Sequence, residues 1–134
     1  MSIPKTPIDL DVLGPIEAFV TNPGQPLYVG GHIGLYVRAG NKLNKEKDLG
    51  AYYKSSPDVI LADDPSDLVD KYIAIGGIVR NLDDFKVNFK IRISIVQNGL
   101  ELAHFKPMKN GAGVLKGGAT EKFAHVFQFT TTAS

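Results

Sequence analysis

The sequence predicts an all-β fold: a single antiparallel two-sheet β-sandwich of immunoglobulin-like or jelly-roll type, with a small β-barrel as the alternative closure. Three observations lead there. FKVNFKIRISIV, residues 85–96, alternates apolar and polar side chains throughout, the period of a half-buried strand rather than a helix. Asn98-Gly99 follows directly, the dipeptide best suited to a two-residue type I′ hairpin turn. Six or seven segments repeat the same alternation, whereas no segment carries enough helical spacing for a substantial helix. A length of 134 residues suits one domain with its own core.

Along the chain, residues 1–15 read as an extended N-terminal arm ahead of a domain spanning 16–134. Residues 16–21 form a short strand before the turn NPGQP. LYVGGHIGLYVRA, residues 27–39, is a strand with Leu27, Val29, Ile33, Leu35 and Val37 facing the core. Residues 41–57, charged and broken by glycine and proline, read as a long loop. A weak strand is expected at 59–62. Asp64 then caps a single turn that has Pro65 in its first position.

YIAIGGIVRN, residues 72–81, is apolar on both parities, as expected for a strand covered on two sides. Its Gly-Gly pair and that of YVGGHIG signal a bulge or a close backbone approach. In the strand at 85–96, Phe85, Phe89 and the isoleucines face inward. The Asn98-Gly99 turn pairs Gln97 with Leu100, Ile95 with Leu102 and Ile93 with His104, which gives His104 a core parity. Residues 106–122, rich in lysine and glycine, read as a second loop. The last strand, 123–131, puts Phe123, His125, Phe127 and Phe129 on one face.

Composition narrows the function classes. With no cysteine, disulfides, thiolate nucleophiles and cysteine-held metals are excluded. No window approaches ~18 consecutive apolar residues, so no membrane-spanning helix is expected. The N-terminus lacks the basic-then-apolar order of a signal peptide, which makes a cytoplasmic location the default expectation. Residues 1–85 carry 8 basic and 12 acidic side chains, and residues 86–134 carry 7 and 2. Such asymmetry suits a charged partner or head-to-tail self-association.

Catalytic motifs are missing: there is no GxSxG elbow, no HExxH, and NGAGVLKGGAT lacks the G-K-[ST] ending of a phosphate-binding loop. His32, His104 and His125 lack the short spacing of a metal pair. The aspartates at 58, 63, 64, 67 and 70 lack the order of a calcium loop. No cofactor and no metal are expected.

Two side-chain rows remain as candidate sites. Tyr28, His32, Tyr36 and Arg38 share the outer parity of their strand, with glycines leaving gaps between polar-aromatic groups. Tyr and Arg recur in binding hot spots. Tyr52-Tyr53 offers a second aromatic patch should the 41–57 loop fold over it. Lys86, Lys90 and Arg92 form a basic stripe for an anion or partner contact. The aromatics of that strand face the other way, which disfavours nucleic acid. The expected function is a non-catalytic, lectin-like module that binds a glycan or a protein through the Tyr/His/Arg face and the long loop. The alternative is a self-associating homo-oligomeric subunit of a capsid, pilus or secretion-type assembly.

Overall fold

The alternating segments fold into strands arranged in open sheets. A computed structural model of the chain describes residues 3–12, 14–21, 26–54 and 56–131. Among these, the strands in chain order are β1 (Lys5–Ile8), β2 (Ile16–Thr21), β3 (Leu27–Ala39), β4 (Lys42–Tyr53), β5 (Asp58–Ala62) and β6 (Tyr72–Asn81), then β7 (Val87–Lys90), β8 (Arg92–Gln97), β9 (Leu100–Phe105), β10 (Ala112–Leu115) and β11 (Thr120–Thr131). A single 3₁₀ turn covers Pro65–Leu68; Asp64 Oδ1 caps it by accepting from the Ser66 amide at 3.0 Å. That hydrogen bond holds the Asp64 carboxyl below its ordinary pKa. No helix among the described residues is long and apolar enough to cross a membrane.

A five-stranded sheet runs in the order β1-β11-β6-β3-β4, a four-stranded sheet in the order β5-β2-β8-β9, and β10 pairs with β7. Among the described residues each sheet is open, with two end strands, so the fold is not the closed small-barrel alternative. One apolar cluster draws on both larger sheets: Ile33, Ile73, Ile75 and Phe127 from the first, Ala18, Ile93 and Ile95 from the second. The all-β architecture is as read from the sequence, and the bounds of β2, β3 and β6 coincide with the segments expected there.

The paired glycines mark a close approach. Gly31 lies opposite Gly77 in the β3–β6 ladder. A Cβ on Gly31 would meet the Gly76 carbonyl oxygen at 2.0 Å, and one on Gly77 would meet the Tyr52 hydroxyl at 2.4 Å. The phenol of the fully buried Tyr52 fills that slot and donates to the Gly76 carbonyl at 3.1 Å. Burial raises its pKa.

Six expectations need correction. Most of the segment expected as a loop is strand: β4, Lys42–Tyr53, pairs with β3 along its whole length and forms a sheet edge. An edge strand with an exposed outer side has few apolar positions to reveal it, and Lys42, Lys45, Glu46, Lys47 and Asp48 are the charges that protect such edges. The strand at 85–96 is two strands. At Ile91 the chain passes from β10's partner to β2's, and the Ile91 amide donates to the Gly111 carbonyl at 2.7 Å. Phe89, Ile91 and Ile93 stay in phase and buried, so alternation runs unbroken across the crossing.

Phe85 precedes β7 and is 75% exposed rather than in the core. In the hairpin, Asn98 and Gly99 both take positive φ (49° and 82°) and Gln97 pairs with Leu100, as expected. A bulge between Ile95 and Val96 then shifts the register, so Ile93 meets Phe105 while His104 meets Ser94 and points outward. Residues 106–122 are not all loop, since they contain β10 and the start of β11. Finally, the strands number more than seven and are not all antiparallel: β1 runs parallel to β11, with Thr6 and Ile8 fully buried.

Candidate functional site

Strand pleating dictates which side chains share the outer face of the five-stranded sheet. On β3 they are Tyr28, Gly30, His32, Gly34, Tyr36 and Arg38. The ladders carry this face sideways. His32 lies beside Ala51 of β4 and Gly76 of β6, and Ala124 of β11 follows. Gly34 lies beside Asp48 and Ala74, with Val126 beyond. Residues with little or no side chain thus surround His32 on a face that elsewhere bears large groups.

The tyrosines close this basin along the strand. A Cβ on Gly30 would meet the Tyr28 hydroxyl at 2.7 Å and its ring at 3.1 Å, so Tyr28 lies across Gly30. A Cβ on Gly34 would meet Tyr36 Cε1 at 3.0 Å, so Tyr36 lies across Gly34. Both rings lean toward His32, one from each end. Aromatic cover over a strand glycine shields backbone that has no side chain of its own.

Depressions of about 350 Å³ and 390 Å³ adjoin at His32, the first reaching Tyr36, Lys45 and Asp48, the second Tyr28, Tyr53 and Lys122. Lys45 and Asp48 form an ion pair at the rim. That contact raises the Lys45 pKa, its hydrogen bond to Asp48 contributing most.

Of the four residues anticipated here, three line the basin. Arg38 does not. It lies beyond the end of β6, which starts opposite Tyr36, and its guanidinium stacks over Tyr72 with the carbon 5.3 Å from the ring centroid. Tyr52 and Tyr53 part company: the first is in the core, while the second stands opposite Gly30 and joins the rim. Lys45, Asp48, Lys122 and the small residues of β6 and β11 were missed. Their only signal was the run of Gly and Ala on the outer parity of YIAIGGIV and FAHVF, unreadable before the strands are placed side by side.

The basic stripe divides as well. Lys86 precedes β7 and is exposed. Lys90 and Arg92, on either side of the Ile91 crossing, line a cleft of about 700 Å³ with His104, Phe105 and Lys106. Arg92 Nη2 donates to Glu101 Oε1 at 2.7 Å. The three histidines are dispersed over the outer face, the core and β9, and the described residues hold no group of three or more His, Asp or Glu suited to a metal ion. Asp63, Asp64 and Asp67 line a separate cleft with Glu46 and Lys71, where Lys71 Nζ pairs with Glu46 at 3.1 Å.

No protein-family model matches the chain, and no curated protein matches it in sequence. Among solved structures, it is similar to the crystal structure of a DUF4425 family protein from Bacteroides ovatus, with a TM-score of 0.46 and 15% sequence identity over 91% of this chain and 99% of that one.

Proposed function

We propose that this chain is a non-catalytic, lectin-like binding module, built as a two-layer β-sandwich, that holds a glycan on the outer face of its five-stranded sheet. One observation carries the reading: Tyr28 and Tyr36 lie over glycines and lean toward His32, across a floor of glycine and alanine. Ring faces set around a shallow floor suit the apolar faces of sugar rings, and a rim of Lys45, Asp48, Lys122 and His32 suits their hydroxyls. Eight residues of strand separate the tyrosines, about 26 Å at Cα, so the ligand is an extended oligosaccharide rather than one sugar.

The test is a glycan array with wild type, Tyr28→Ala/Tyr36→Ala and Gly76→Val. A Cβ at Gly76 meets nothing within 4 Å, so a side chain there projects into the basin. Wild type should retain a defined set of oligosaccharides, and each variant should lose about tenfold or more in affinity while still unfolding cooperatively. Identical array profiles for all three proteins would remove the assignment. A blank array joined to pull-down of a protein that Gly76→Val abolishes would reassign the same face to a protein partner.

A second reading, a self-associating subunit, draws on Leu82 and Phe85, apolar side chains 60% and 75% exposed in one turn. Sedimentation of wild type and Phe85→Ser tests it: a monomer at high concentration in both rejects self-association.

A further inference from the structure

The two ends of the tyrosine basin differ in charge. At the Tyr36 end the charged groups already have partners: Lys45 pairs with Asp48, and Arg38 stacks over Tyr72. Lys5, the remaining cation of that half, stands three strands from Tyr36, beside Gln128. At the Tyr28 end the register brings in two further cations. Arg80 of β6 stands beside Tyr28, with Thr120 on its other flank. Lys122 of β11 shares the next rung with Ile78, Gly30 and Tyr53.

Both residues are exposed, and neither side chain forms an ion pair or hydrogen bond among the described residues. The acids close to them in the chain do not neutralise them. Glu121 takes the opposite parity, across from the buried Val79. Asp83 and Asp84 lie in the turn after β6 and pair with neither cation. As diagonal neighbours on adjacent antiparallel strands, Arg80 and Lys122 stand roughly 7–8 Å apart, close enough for long side chains to share one anion. Lys122 also lines the depression of about 390 Å³ with Tyr28 and Tyr53, so its charge stands in a concavity beside two phenols.

Resting on the glycan reading above, we propose that the ligand is an acidic oligosaccharide bound in one direction. Its carboxylate or sulfate lies at the Tyr28 end between Arg80 and Lys122, and its neutral rings run past His32 to Tyr36. The arginine presents a planar fork to the oxyanion, and the lysine adds a point charge. At the other end Asp48, balanced by Lys45, offers hydrogen bonds to hydroxyls without net charge. A nucleic-acid strand fits less well, because a phosphate at every nucleotide calls for cations along the whole track.

The test uses the full chain on an array of matched pairs: uronic-acid oligosaccharides beside their methyl esters, and sulfated oligosaccharides beside their desulfated forms. In at least one pair the acid should bind about tenfold or more tightly at low salt, and the kind of pair that responds tells carboxylate from sulfate. Arg80→Gln/Lys122→Gln should bring that ratio close to one, and Arg80→Gln alone should lower it by a smaller factor. Neutral oligosaccharides retained with no pair favouring the acid would overturn the charge assignment and leave the glycan reading standing. An empty array overturns both. An acid preference that survives in the double variant moves the anion away from these cations and overturns the proposal. An oligothymidylate that outcompetes every acidic oligosaccharide gives the face to nucleic acid instead.

Discussion

At the scale of single residues, His125 is the side chain whose placement is costliest. It is 2% exposed, its ring packed at a tilt against those of Phe105 and Phe127, and neither ring nitrogen has a hydrogen-bond partner among the described residues. Burial lowers its pKa to about 4 from an ordinary 6.5. Between those values the unfolded chain takes up a proton that the folded chain refuses. Stability is therefore complete above pH 6.5 and falls as pH drops toward 4, by about 3 kcal/mol for such a shift. His125→Phe keeps the aromatic stack and removes the unpaired imidazole. Urea unfolding should show it more stable by about 1–3 kcal/mol at pH 7, without this group's acid slope. An unchanged slope would mean that another group sets the acid sensitivity. The inward parity of His125 was legible in FAHVFQF, but its lack of a partner was not, because that depends on what β9 places above it. Gly31 and Gly76 make the complementary pair. Alanine at Gly31 collides with backbone and should cost more than about 2 kcal/mol, whereas alanine at Gly76 should change stability by less than about 0.5 kcal/mol.

Among the elements, what could be read depended on whether local chemistry or long-range pairing set the structure. The Asn98-Gly99 turn is local, and both residues adopt the positive φ that type I′ geometry requires. Asn98→Ala should cost about 1 kcal/mol by thermal unfolding, since alanine tolerates φ of 49° poorly, while Asn98→Gly should come within about 0.5 kcal/mol of wild type. Equal losses in the two variants would shift the role of Asn98 from backbone to side chain. The bulge two residues away is not local. Register counted outward from the turn assumes an unbroken ladder, and one extra residue exchanges His104 for Phe105 on the inner face. That exchange also brings the Phe105 ring against His125 and Phe127. β4 was hidden for the opposite reason: its charges serve an edge, and they read as a loop until β3 is seen beside them. On the tyrosine face, the β3 row was legible from period two, but its floor belongs to β4, β6 and β11.

Over the whole molecule, a few buried polar side chains tie together segments that the sheets alone would leave apart. Gln97 Nε2 donates to the carbonyls of Asp9 and Val12, at 2.8 and 3.0 Å, and so fastens the segment after β1 to β8. Asn81 does more. It is fully buried at the end of β6, where its Nδ2 donates to the carbonyls of Phe85, Leu115 and Lys116 at 2.7, 3.1 and 3.2 Å. Its Oδ1 accepts from the Asp83 amide at 2.9 Å. Its own amide donates to the Ala119 carbonyl and its carbonyl accepts from Gly118. The turn entering β7 and the turn leaving β10 thus meet on one residue, and the small β7–β10 sheet is pinned to the five-stranded sheet through it. Asn81→Ala leaves three carbonyls and an amide short of a partner in a buried setting, at a cost of about 3 kcal/mol or more. The loss should also be uneven. Hydrogen exchange in this variant should quicken first at Val87–Lys90 and Ala112–Leu115, while the β3–β6 ladder keeps its protection. Uniform acceleration across all strands would instead mean that Asn81 supports the fold as a whole, with no special hold on the small sheet.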